Sequence, residues 1–384
     1  MKKALGISIF IILALAAACL VYVPYDEQGG SRPGTGYDED YPGRAASMDV
    51  SYFYDSLSPY GDWIDYPSAG YVWVPRHVGY GWRPYTHGRW IWTSYGWTWV
   101  SSYEWGWAPF HYGRWGHDRY LGWYWVPDTV WGPAWVSWRY GDSYCGWAPL
   151  PPGAEFSIQY GMRSGPFDIP DYGWVFIDGR YFLDDRLDRW VLPYERNFAI
   201  FDYTSFHAGI RVRGGHAYNE GVGIDRIRRI TRRDVSVHEL RDPGRPGFSR
   251  IESRDVVLHR PSLSPNQMAR PKKFIPKDER VRELETGEVE EAPDVDETTI
   301  RNEHDREMKL LEESHRIEVG SIRRKTDEEK AKARNTQEKE KIENEYKARV
   351  SEIKKKQDSE KTKLTERQKQ ESEKVKKGRI RKKD

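Results

Sequence analysis

Tryptophan recurs at a nearly constant interval in the first half of this 384-residue chain. Sixteen of the 18 tryptophans lie within residues 51–152. Trp90 and Trp115 are 25 residues apart, and each follows Gly-Arg. A second series recurs at intervals of 26 residues: Trp73, Trp99 and Trp125. A unit of about this length does not bury its own hydrophobic face, so several units must pack into one body.

Within each unit the tryptophans alternate with other residues, and side chains at positions i and i+2 lie on one face of a β-strand. Glycine-containing turns such as Ser94-Tyr95-Gly96 and Tyr120-Leu121-Gly122 separate the aromatic runs. We therefore predict a mainly β fold class in which residues 51–152 form a body of short antiparallel hairpins, about one per repeat. The alternating pairs are Trp90 with Trp92, Trp97 with Trp99, and Trp123 with Trp125.

The next two segments differ from the repeats in composition. Residues 153–262 retain only Trp174 and Trp190 and contain strand-like apolar runs, including residues 174–177 and 198–201. They are predicted to form a second β-rich segment. Residues 263–298 are charged and interrupted by proline, which is typical of a linker.

The C-terminal part consists mainly of Glu, Lys, Arg, Gln and Ala, which favour helix, and has no proline after Pro293. Acidic residues often precede basic ones by four positions, which adds about 0.2–0.5 kcal/mol per pair to an isolated helix. We predict a long charged α-helix over residues 299–384. A coiled-coil seam interrupted by polar positions makes dimerisation along the whole length doubtful. Its positions are Met308, Leu311, His315, Ile322, Tyr346, Val350 and Ile353.

The N-terminus has the features of an export signal. Lys2 and Lys3 precede an apolar run that leads to Ala16-Ala17-Ala18 and Cys19. Three interpretations of residues 1–19 are open: a cleaved signal peptide, a lipoprotein signal that makes Cys19 the lipidated residue, or an anchor that is retained because the run continues to Val23. We favour the lipoprotein. Residues 20–50, which are rich in Gly, Pro and Asp, then form a flexible tether.

Cysteine usage agrees with export to a bacterial envelope compartment. The chain has two cysteines, and Cys145 has no disulfide partner if Cys19 is lipidated or removed. Export without disulfides differs from the pattern of small disulfide-stapled extracellular domains. We expect a periplasmic or outer-membrane-associated protein held at the membrane by its lipid or its N-terminal segment.

The aromatic repeats supply the candidate binding residues. Contiguous exposed aromatic side chains usually mark a binding site, and arginines beside them would donate hydrogen bonds to a sugar. The opposite interpretation is that the rings fill the core and that the arginines stack over them as cation–π partners. The candidates are Trp90, Trp92, Trp97, Trp99, Trp115, Trp123, Trp125, Arg89 and Arg114.

Catalytic and metal-binding motifs are weak, so we predict no catalytic residue, metal or cofactor. The histidines at 77, 87, 111 and 117 lack the short spacings of a zinc site. Glycan hydrolysis needs two carboxylates, and spacing selects no pair among the acidic residues of the repeats. Cys145 has no motif of a nucleophile around it. The acidic residues are Asp62, Asp65, Glu104, Asp118, Asp128 and Asp142.

Charge is distributed unevenly along the chain. Residues 301–384 contain 28 Lys and Arg against 20 Asp and Glu, a net charge of +8, whereas the residues before them carry −6. The terminal run KVKKGRIRKKD would contact any polyanion without sequence preference. For an exported protein we do not expect nucleic acid as the partner. Anionic envelope polymers or lipid headgroups suit the location better, and a solvated helix face is the simplest interpretation.

Several motifs together resemble a bacterial family of exported proteins rich in Trp, Gly and Tyr that is known only as a domain of unknown function. The resemblance covers about residues 50–152 and extends more weakly towards 262. It implies a location in the bacterial envelope and a non-catalytic role, and it supplies no catalytic residue. The motifs are SYFYDSLSPYGDW, GYGWRPYTHGRW, YGWTWVSSYEWGWAPFHYGRW, GWYWVPDTVWGPAWVSWRYGD and GWAPLPP.

Two functions of different classes remain open after the sequence. The first is a non-catalytic envelope protein that binds or scaffolds through its repeats, on cell-wall or surface glycan. The second is a structural or assembly protein that contacts a protein partner, or a second copy of itself, through the C-terminal helix. An envelope hydrolase is the least supported function.

Overall fold

The computed structural model describes residues 48–79, 81–162, 169–286 and 297–381. The export signal with Cys19 and nearly all of the tether lie outside these residues. The strands are β1 (Met48–Asp49), β2 (Gly61–Tyr66), β3 (Gly70–Pro75), β4 (Gly88–Thr93), β5 (Gly96–Ser101), β6 (Arg114–Asp118), β7 (Gly122–Val126), β8 (Val136–Tyr140), β9 (Tyr144–Pro149), β10 (Phe156–Ser157), β11 (Gly161–Met162), β12 (Val175–Asp178), β13 (Ser205–His207), β14 (Ile210–Arg213), β15 (His216–Asn219), β16 (Val237–Arg241), β17 (Arg250–Glu252), β18 (Asp255–Val257), β19 (Leu263–Ser264) and β20 (Ile275–Pro276). The α-helices are α1 (Ser51–Leu57), α2 (Asn197–Phe201), α3 (Ile224–Thr231), α4 (Lys277–Thr286), α5 (Glu297–Lys332) and α6 (Thr336–Arg381). Short 3₁₀ helices lie at Glu104–Trp107, Asp171–Gly173, Gly179–Tyr181, Leu187–Arg189 and Tyr194–Arg196.

Four antiparallel hairpins of the same design follow one another along the repeats: β2–β3, β4–β5, β6–β7 and β8–β9. In each hairpin a tryptophan of the first strand pairs directly with a tryptophan of the second, and all eight rings are buried. The predicted hairpin repeats are therefore confirmed, with one hairpin per unit. The pairs are Trp63 with Trp73, Trp90 with Trp99, Trp115 with Trp125, and Trp138 with Trp147.

The polar N–H of a buried indole needs an acceptor, and most of these rings find one. Trp73 Nε1 donates to the carbonyl of Leu57 at 3.1 Å, and Trp125 Nε1 donates to that of Tyr112 at 2.7 Å. Six of the eight paired rings donate a hydrogen bond from Nε1 to an oxygen of the protein. The exceptions are Trp90 and Trp99, whose Nε1 atoms have no partner among the described residues.

The glycine of the Gly-x-Trp motif makes room for the indole of the opposite strand. A Cβ added to Gly113 would lie 2.1 Å from the carbonyl oxygen of Val126 and 2.6 Å from Nε1 of Trp125. Gly61 and Gly88 meet Trp73 and Trp99 in the same way. The glycine and the tryptophan of the recurring Gly-Arg-Trp are thus packing requirements of the hairpin.

The hairpins share their sheets with strands from later in the chain. Hairpins β2–β3 and β6–β7 join through the pair Trp73 and Trp125 in a sheet of order β20-β2-β3-β7-β6. Hairpin β4–β5 lies within a sheet of order β14-β15-β5-β4-β16-β18-β17. Hairpin β8–β9 lies between β12 and β13. Strands of the second β-rich segment therefore extend the sheets of the repeats.

Two local predictions differ from the structure. Residues 198–201, predicted as a strand, lie in helix α2, where Ile200 is buried and Phe198 is exposed. The stretch predicted as a linker contains β19, β20 and helix α4 before residue 287. It is ordered because Ile275 pairs with Ile64 on β2 and Val281 and Leu284 pack on the same apolar cluster.

The predicted charged helix is present, but it is divided into two helices at residues 333–335. Asn335 caps the second helix, because its Oδ1 accepts a hydrogen bond from the backbone N–H of Glu338 at 2.8 Å. Helices α5 and α6 pack side by side. Bonds such as His304 to Glu371 (2.9 Å) and His315 to Glu360 (2.7 Å) set an antiparallel register.

The seam between α5 and α6 repeats every 11 residues. The spacing appears on both helices, and the register sets Leu311 opposite Leu364. Polar layers lie between the apolar ones, as where Gln357 Nε2 donates to Glu318 Oε2 at 2.8 Å. An 11-residue repeat predicts a right-handed supercoil. The buried apolar positions are Ile300, Leu311, Ile322, Ile353, Leu364 and Val375.

Helices α5 and α6 dock on the β-rich part through a buried arginine. Arg196 is fully buried, and its Nη1 lies 3.1 Å from Glu360 on α6. Its Nη2 lies 2.6 Å from Glu318 on α5, which also accepts a hydrogen bond from the Tyr203 hydroxyl at 2.8 Å. One residue of the β-rich part therefore contacts both helices. Among the described residues, no helix is both long and apolar enough to cross a membrane.

Candidate functional site

An aromatic cleft lies beside the third hairpin. His117 on β6 pairs across the hairpin with Trp123 on β7, on the same face as the buried pair Trp115 and Trp125 and two residues closer to the turn. The rings of His117 and Trp123 are 5.2 Å apart between centroids. Tyr172, from the 3₁₀ helix Asp171–Gly173, lies 4.8 Å from His117 and 6.5 Å from Trp123. Three rings from two parts of the chain thus form one wall.

The other wall comes from the loop after β3 and from the helices. Val78 and Trp82 lie on the loop side, and Tyr194 and Lys374 complete the rim. Arg367 of α6 lies over the ring of Tyr194, 5.3 Å from its centroid. The cleft has a volume of about 510 Å³, which is within the range of small-molecule sites.

The aromatic walls of this cleft are partly open to solvent. Tyr172 is 39 % exposed and Tyr194 is 37 % exposed, and the Trp123 ring is half-buried. Within the described residues, the side-chain polar atoms of His117, Tyr172, Tyr194 and Lys374 make no hydrogen bond or ion pair inside the protein. These groups remain available to a ligand.

Burial keeps the titratable rings of the cleft uncharged at neutral pH. It lowers the pKa of His117, and the negative charge of Asp118 opposes this shift. It raises the pKa of Tyr172 and of Tyr194 above the usual value for a phenol. A neutral imidazole offers one donor and one acceptor, which suits a hydroxyl-bearing ligand.

Asp118 is adjacent to the cleft but serves the turn of the hairpin. Its Oδ1 accepts hydrogen bonds from the backbone N–H groups of Tyr120 at 2.8 Å and Leu121 at 3.2 Å. Lys277 lies 2.8 Å from its other oxygen. Burial opposes ionisation of this carboxyl, but these bonds outweigh it and lower the pKa of Asp118 to about 2. Its role is the common backbone role of aspartate in turns.

Five of the predicted binding rings are in the core instead. None of them is more than 2 % exposed, so none offers a face to a ligand. Their alternation placed them on the inner face of the hairpins, where they pair across strands and pack against other aromatic rings. For these rings the core interpretation is correct and the binding interpretation is wrong. They are Trp90, Trp97, Trp99, Trp115 and Trp125.

The arginines and the remaining rings have separate surroundings. Arg114 is buried, with its guanidinium 3.9 Å from the centroid of the Trp135 ring and its Nε donating to the carbonyl of Ala154 at 2.9 Å. Arg89 forms an ion pair with Asp185 at 2.8 Å. Trp92 is half-buried against Trp97. Of the nine predicted residues, only Trp123 lines the cleft.

The repeat does contain a signal for this cleft. Each hairpin has a second cross-strand pair on the same face as its buried tryptophan pair and two residues closer to the turn, and in the second hairpin this pair is Trp92 with Trp97. The third hairpin has His117 with Trp123 at the same place. The departure from the repeat at His117 marks the turn end of the third hairpin, where the cleft lies. No sequence signal of this kind predicts that Tyr172 and Tyr194 line the cleft, because both come from connections outside the repeats.

The residues weighed for catalysis and metal binding do not converge. No group of three or more His, Cys, Asp and Glu side chains that could hold a metal ion occurs in the described part of the chain. Cys145 is fully buried, and burial raises the pKa of its thiol to about 12, so it is not a ready nucleophile. Asp62 pairs with Arg280 and Arg76.

Comparison with known proteins gives one match. A model of a family described as "Family of unknown function (DUF6600)" matches residues 54–154. No curated protein and no solved structure matches the chain. The matched residues contain all four Trp-paired hairpins. This part of the chain is therefore similar to a family of unknown function.

Proposed function

We propose that this protein is a non-catalytic component of the bacterial cell envelope that binds a glycan chain in the aromatic cleft beside the third hairpin. The observation that carries the proposal is the wall of Trp123, Tyr172 and His117, with unengaged polar atoms at its rim. A sugar ring presents an apolar face for stacking and hydroxyl groups at its edge, and this cleft offers groups for both.

The wall has the geometry of a binding platform rather than of a core. Its rings are inclined to one another by 56° to 75°, so one or two of them can stack on a sugar while the others meet its edge. The hydroxyls of Tyr172 and Tyr194 and the imidazole of His117 lie around the same space. The positive side chain of Lys374 favours a sugar that carries a carboxylate, as cell-wall and surface glycans do.

The residues at the cleft support binding without hydrolysis. Glycoside hydrolysis requires two carboxyl groups on either side of the scissile bond. Among the described residues that line the cleft there is no Asp or Glu, and the nearby Asp118 is held by four hydrogen-bond partners. This lining supports a site that holds a sugar without cleaving it.

The envelope location is inferred from the sequence of residues 1–50. A basic start, an apolar run and Ala16-Ala17-Ala18-Cys19 support export and lipidation at Cys19. The following stretch would act as a tether between the lipid and the first hairpin. A tethered binding cleft would hold a glycan near the membrane to which the lipid is anchored.

The alternative function, assembly through the C-terminal helices, is less well supported. The apolar seam of α5 is covered by α6, with Leu311 set opposite Leu364, and both are fully buried. Neither helix offers this seam to a second copy while they are paired. We therefore place glycan binding first.

Isothermal titration of the full chain with soluble muropeptide oligosaccharides tests the proposal. Chitohexaose serves as an uncharged probe of N-acetylglucosamine chains. We expect binding that weakens about tenfold in Trp123→Ala, equivalent to about 1.4 kcal/mol, and also in Tyr172→Ala. Trp92→Ala is the matched control, because it removes a half-buried ring of the repeats outside the cleft.

Three outcomes would contradict the proposal. The first is that neither probe binds to the wild-type protein. The second is that Trp123→Ala binds as well as the wild type, and the third is that Trp92→Ala loses as much affinity as Trp123→Ala. A preference for muropeptide over chitohexaose that disappears in Lys374→Gln would support the role of the positive rim. Circular dichroism of each variant checks that its β content is retained.

A further inference from the structure

A second cleft lies between the β-rich part and helix α5. Its volume is about 530 Å³. The β-rich part contributes Tyr144, Tyr181, Trp190 and Leu192. The helix contributes one face, with lining residues spaced three or four apart. They are Arg306, Lys309, Leu310, Glu313, Ser314 and Ile317.

The walls of this second cleft are apolar and well supported. Tyr181 and Trp190 stack face to face with centroids 3.6 Å apart and planes inclined by only 2°. Leu310 packs against the buried cluster that contains Tyr144 and Leu192. The hydroxyl of Tyr144 is engaged by the Oγ of Ser314 at 3.0 Å, so it leaves little polarity on the wall.

The rim carries positive charge that the described residues balance only in part. Arg189, Arg306 and Lys309 line the cleft, and within the described chain none of them forms an ion pair. The acidic residues at the same rim are already engaged. Arg180 lies 2.7 Å from Asp178 and 3.7 Å from Glu313.

Two other acidic residues lie near Arg306. Asp188 is bound by Arg186 at 2.8 Å. Glu303 also interacts electrostatically with Arg306, and burial raises the pKa of this carboxyl. An apolar cavity whose rim holds Arg189 and Lys309 outside any ion pair of the described residues, with Arg306 beside them, matches a ligand with a hydrophobic body and an acidic head.

We propose that this cleft binds a single-chain amphiphile with an acidic headgroup. The chain would lie between Trp190 and Leu310, and the head would meet Arg189, Arg306 and Lys309. A single chain suits the site because the helix and the β-rich part enclose it on two sides. This site is separate from the aromatic cleft, and the inference does not depend on glycan binding.

Calorimetric titration of the full chain with three probes tests the site. The probes are dodecanoate, dodecanol and butyrate, each kept below the concentration at which it forms micelles or separates. Dodecanoate has both parts of the expected ligand, dodecanol has only the chain, and butyrate has the charge with almost no chain. We expect dodecanoate to bind, dodecanol to bind about tenfold or more weakly, and butyrate not to bind.

Charge-reversal variants at exposed positions locate the headgroup without disturbing the core. Arg189→Glu and Lys309→Glu should each weaken dodecanoate binding about tenfold and leave dodecanol binding unchanged. Lys325→Glu is the control, because Lys325 is an exposed lysine of the same helix outside the cleft. Equal binding of dodecanoate and dodecanol, no binding of dodecanoate, or equal losses in Lys309→Glu and Lys325→Glu would each overturn the proposal.

Discussion

The Nη2 atom of Arg196 lies 2.6 Å from Oε2 of Glu318, and both side chains are buried. The same guanidinium meets Glu360 on the other helix. A single cation therefore offsets two carboxylates at the place where α5 and α6 dock on the β-rich part. Burying one of these charges without its partner would be costly.

Replacing Arg196 should release the helices from the β-rich part. We expect Arg196→Met to lower the free energy of unfolding by about 3–5 kcal/mol, because it leaves Glu318 buried without a counter-charge and Glu360 with only His315 beside it. Hydrogen exchange should become faster in α5 and α6. Arg316→Met removes an exposed arginine from α5 and should change little. Adding Glu318→Gln and Glu360→Gln to Arg196→Met should recover part of the loss, and no recovery would contradict this explanation.

An 11-residue repeat in the seam between α5 and α6 predicts different effects of mutation from a heptad repeat. Leu364→Ala should cost about 2–5 kcal/mol, as expected for a fully buried leucine. Val350→Ala, at a position that the heptad pattern selects, is half-buried and should cost about 1 kcal/mol or less. Urea unfolding followed by helical circular dichroism measures both. Equal costs would favour the heptad assignment.

Two glycines of the third hairpin form a matched pair. A Cβ at Gly113 would lie 2.1 Å from the Val126 carbonyl oxygen, whereas a Cβ at Gly122 meets nothing within 4 Å. Both residues have a positive φ, of 64° and 70°. Gly122→Ala should therefore cost about 1 kcal/mol from backbone strain alone, and Gly113→Ala should cost clearly more. Thermal unfolding measures both costs, and equal melting temperatures of the two variants would contradict the packing role of Gly113.

Mild acid should destabilise the protein through His111. Burial lowers the pKa of this imidazole to about 4, whereas an unfolded chain takes up the proton near pH 6.5. The unfolded state therefore binds more protons between these values, so the free energy of unfolding falls as the pH is lowered from about 6.5 to about 4. The contribution is about 3 kcal/mol at most.

Chemical unfolding at several pH values measures this dependence on His111. His111→Asn keeps a side-chain donor for the Gly132 carbonyl, which His111 Nδ1 contacts at 3.0 Å, and it should show a flatter pH profile. His77→Asn changes an exposed histidine and should keep the wild-type profile. If His111→Asn kept the wild-type slope, another group would be responsible.

Cys145 should resist thiol reagents while the protein is folded. The side chain is fully buried, and burial raises the pKa of the thiol to about 12, so little thiolate is present or accessible. Labelling with iodoacetamide, followed by mass spectrometry of the Cys145 peptide, should show modification only under unfolding conditions. Rapid labelling of the native protein would contradict the packing described.

The hairpins could be predicted because their sequence signals are local. A period of two, a glycine at the turn and a repeat of about 25 residues all act within one hairpin. Glycines at 70, 96 and 122 each start the second strand with a positive φ. The sheets that these hairpins join were not predictable in the same way, because β12, β14 and β16 come from distant parts of the chain.

The break between α5 and α6 had a signal that the helix prediction missed. Asn335-Thr336-Gln337-Glu338 has the spacing of a capping box, with the backbone N–H of Arg334 donating to Glu338 at 2.8 Å. The eleven-residue spacing of Ile300, Leu311 and Ile322 was also present in the sequence. A heptad template aligned Leu311 and Ile322 but assigned Met308 and Val350 to the seam, where both are only half-buried.

The candidate site was predictable only in part. Trp123 was selected together with Trp97, which occupies the equivalent place one repeat earlier. The structure separates the two, because Phe182 packs 4.8 Å from Trp97 and the carbonyl of Val222 accepts its N–H at 2.8 Å. These covering residues come from the second β-rich segment, so no pattern within the repeats distinguishes the two rings.

The spacing of the helical seam limits how this molecule can change in length. Ile300 on α5 lies opposite Val375 on α6, and Leu311 lies opposite Leu364. Residues gained or lost within one helix alone would therefore shift the following layers out of register, including the layer that contacts Arg196. An equal gain or loss of residues at the tip of both helices leaves the layers between the tip and the base in register. The two helices can therefore change length together at the tip while their base stays fixed to the hairpins.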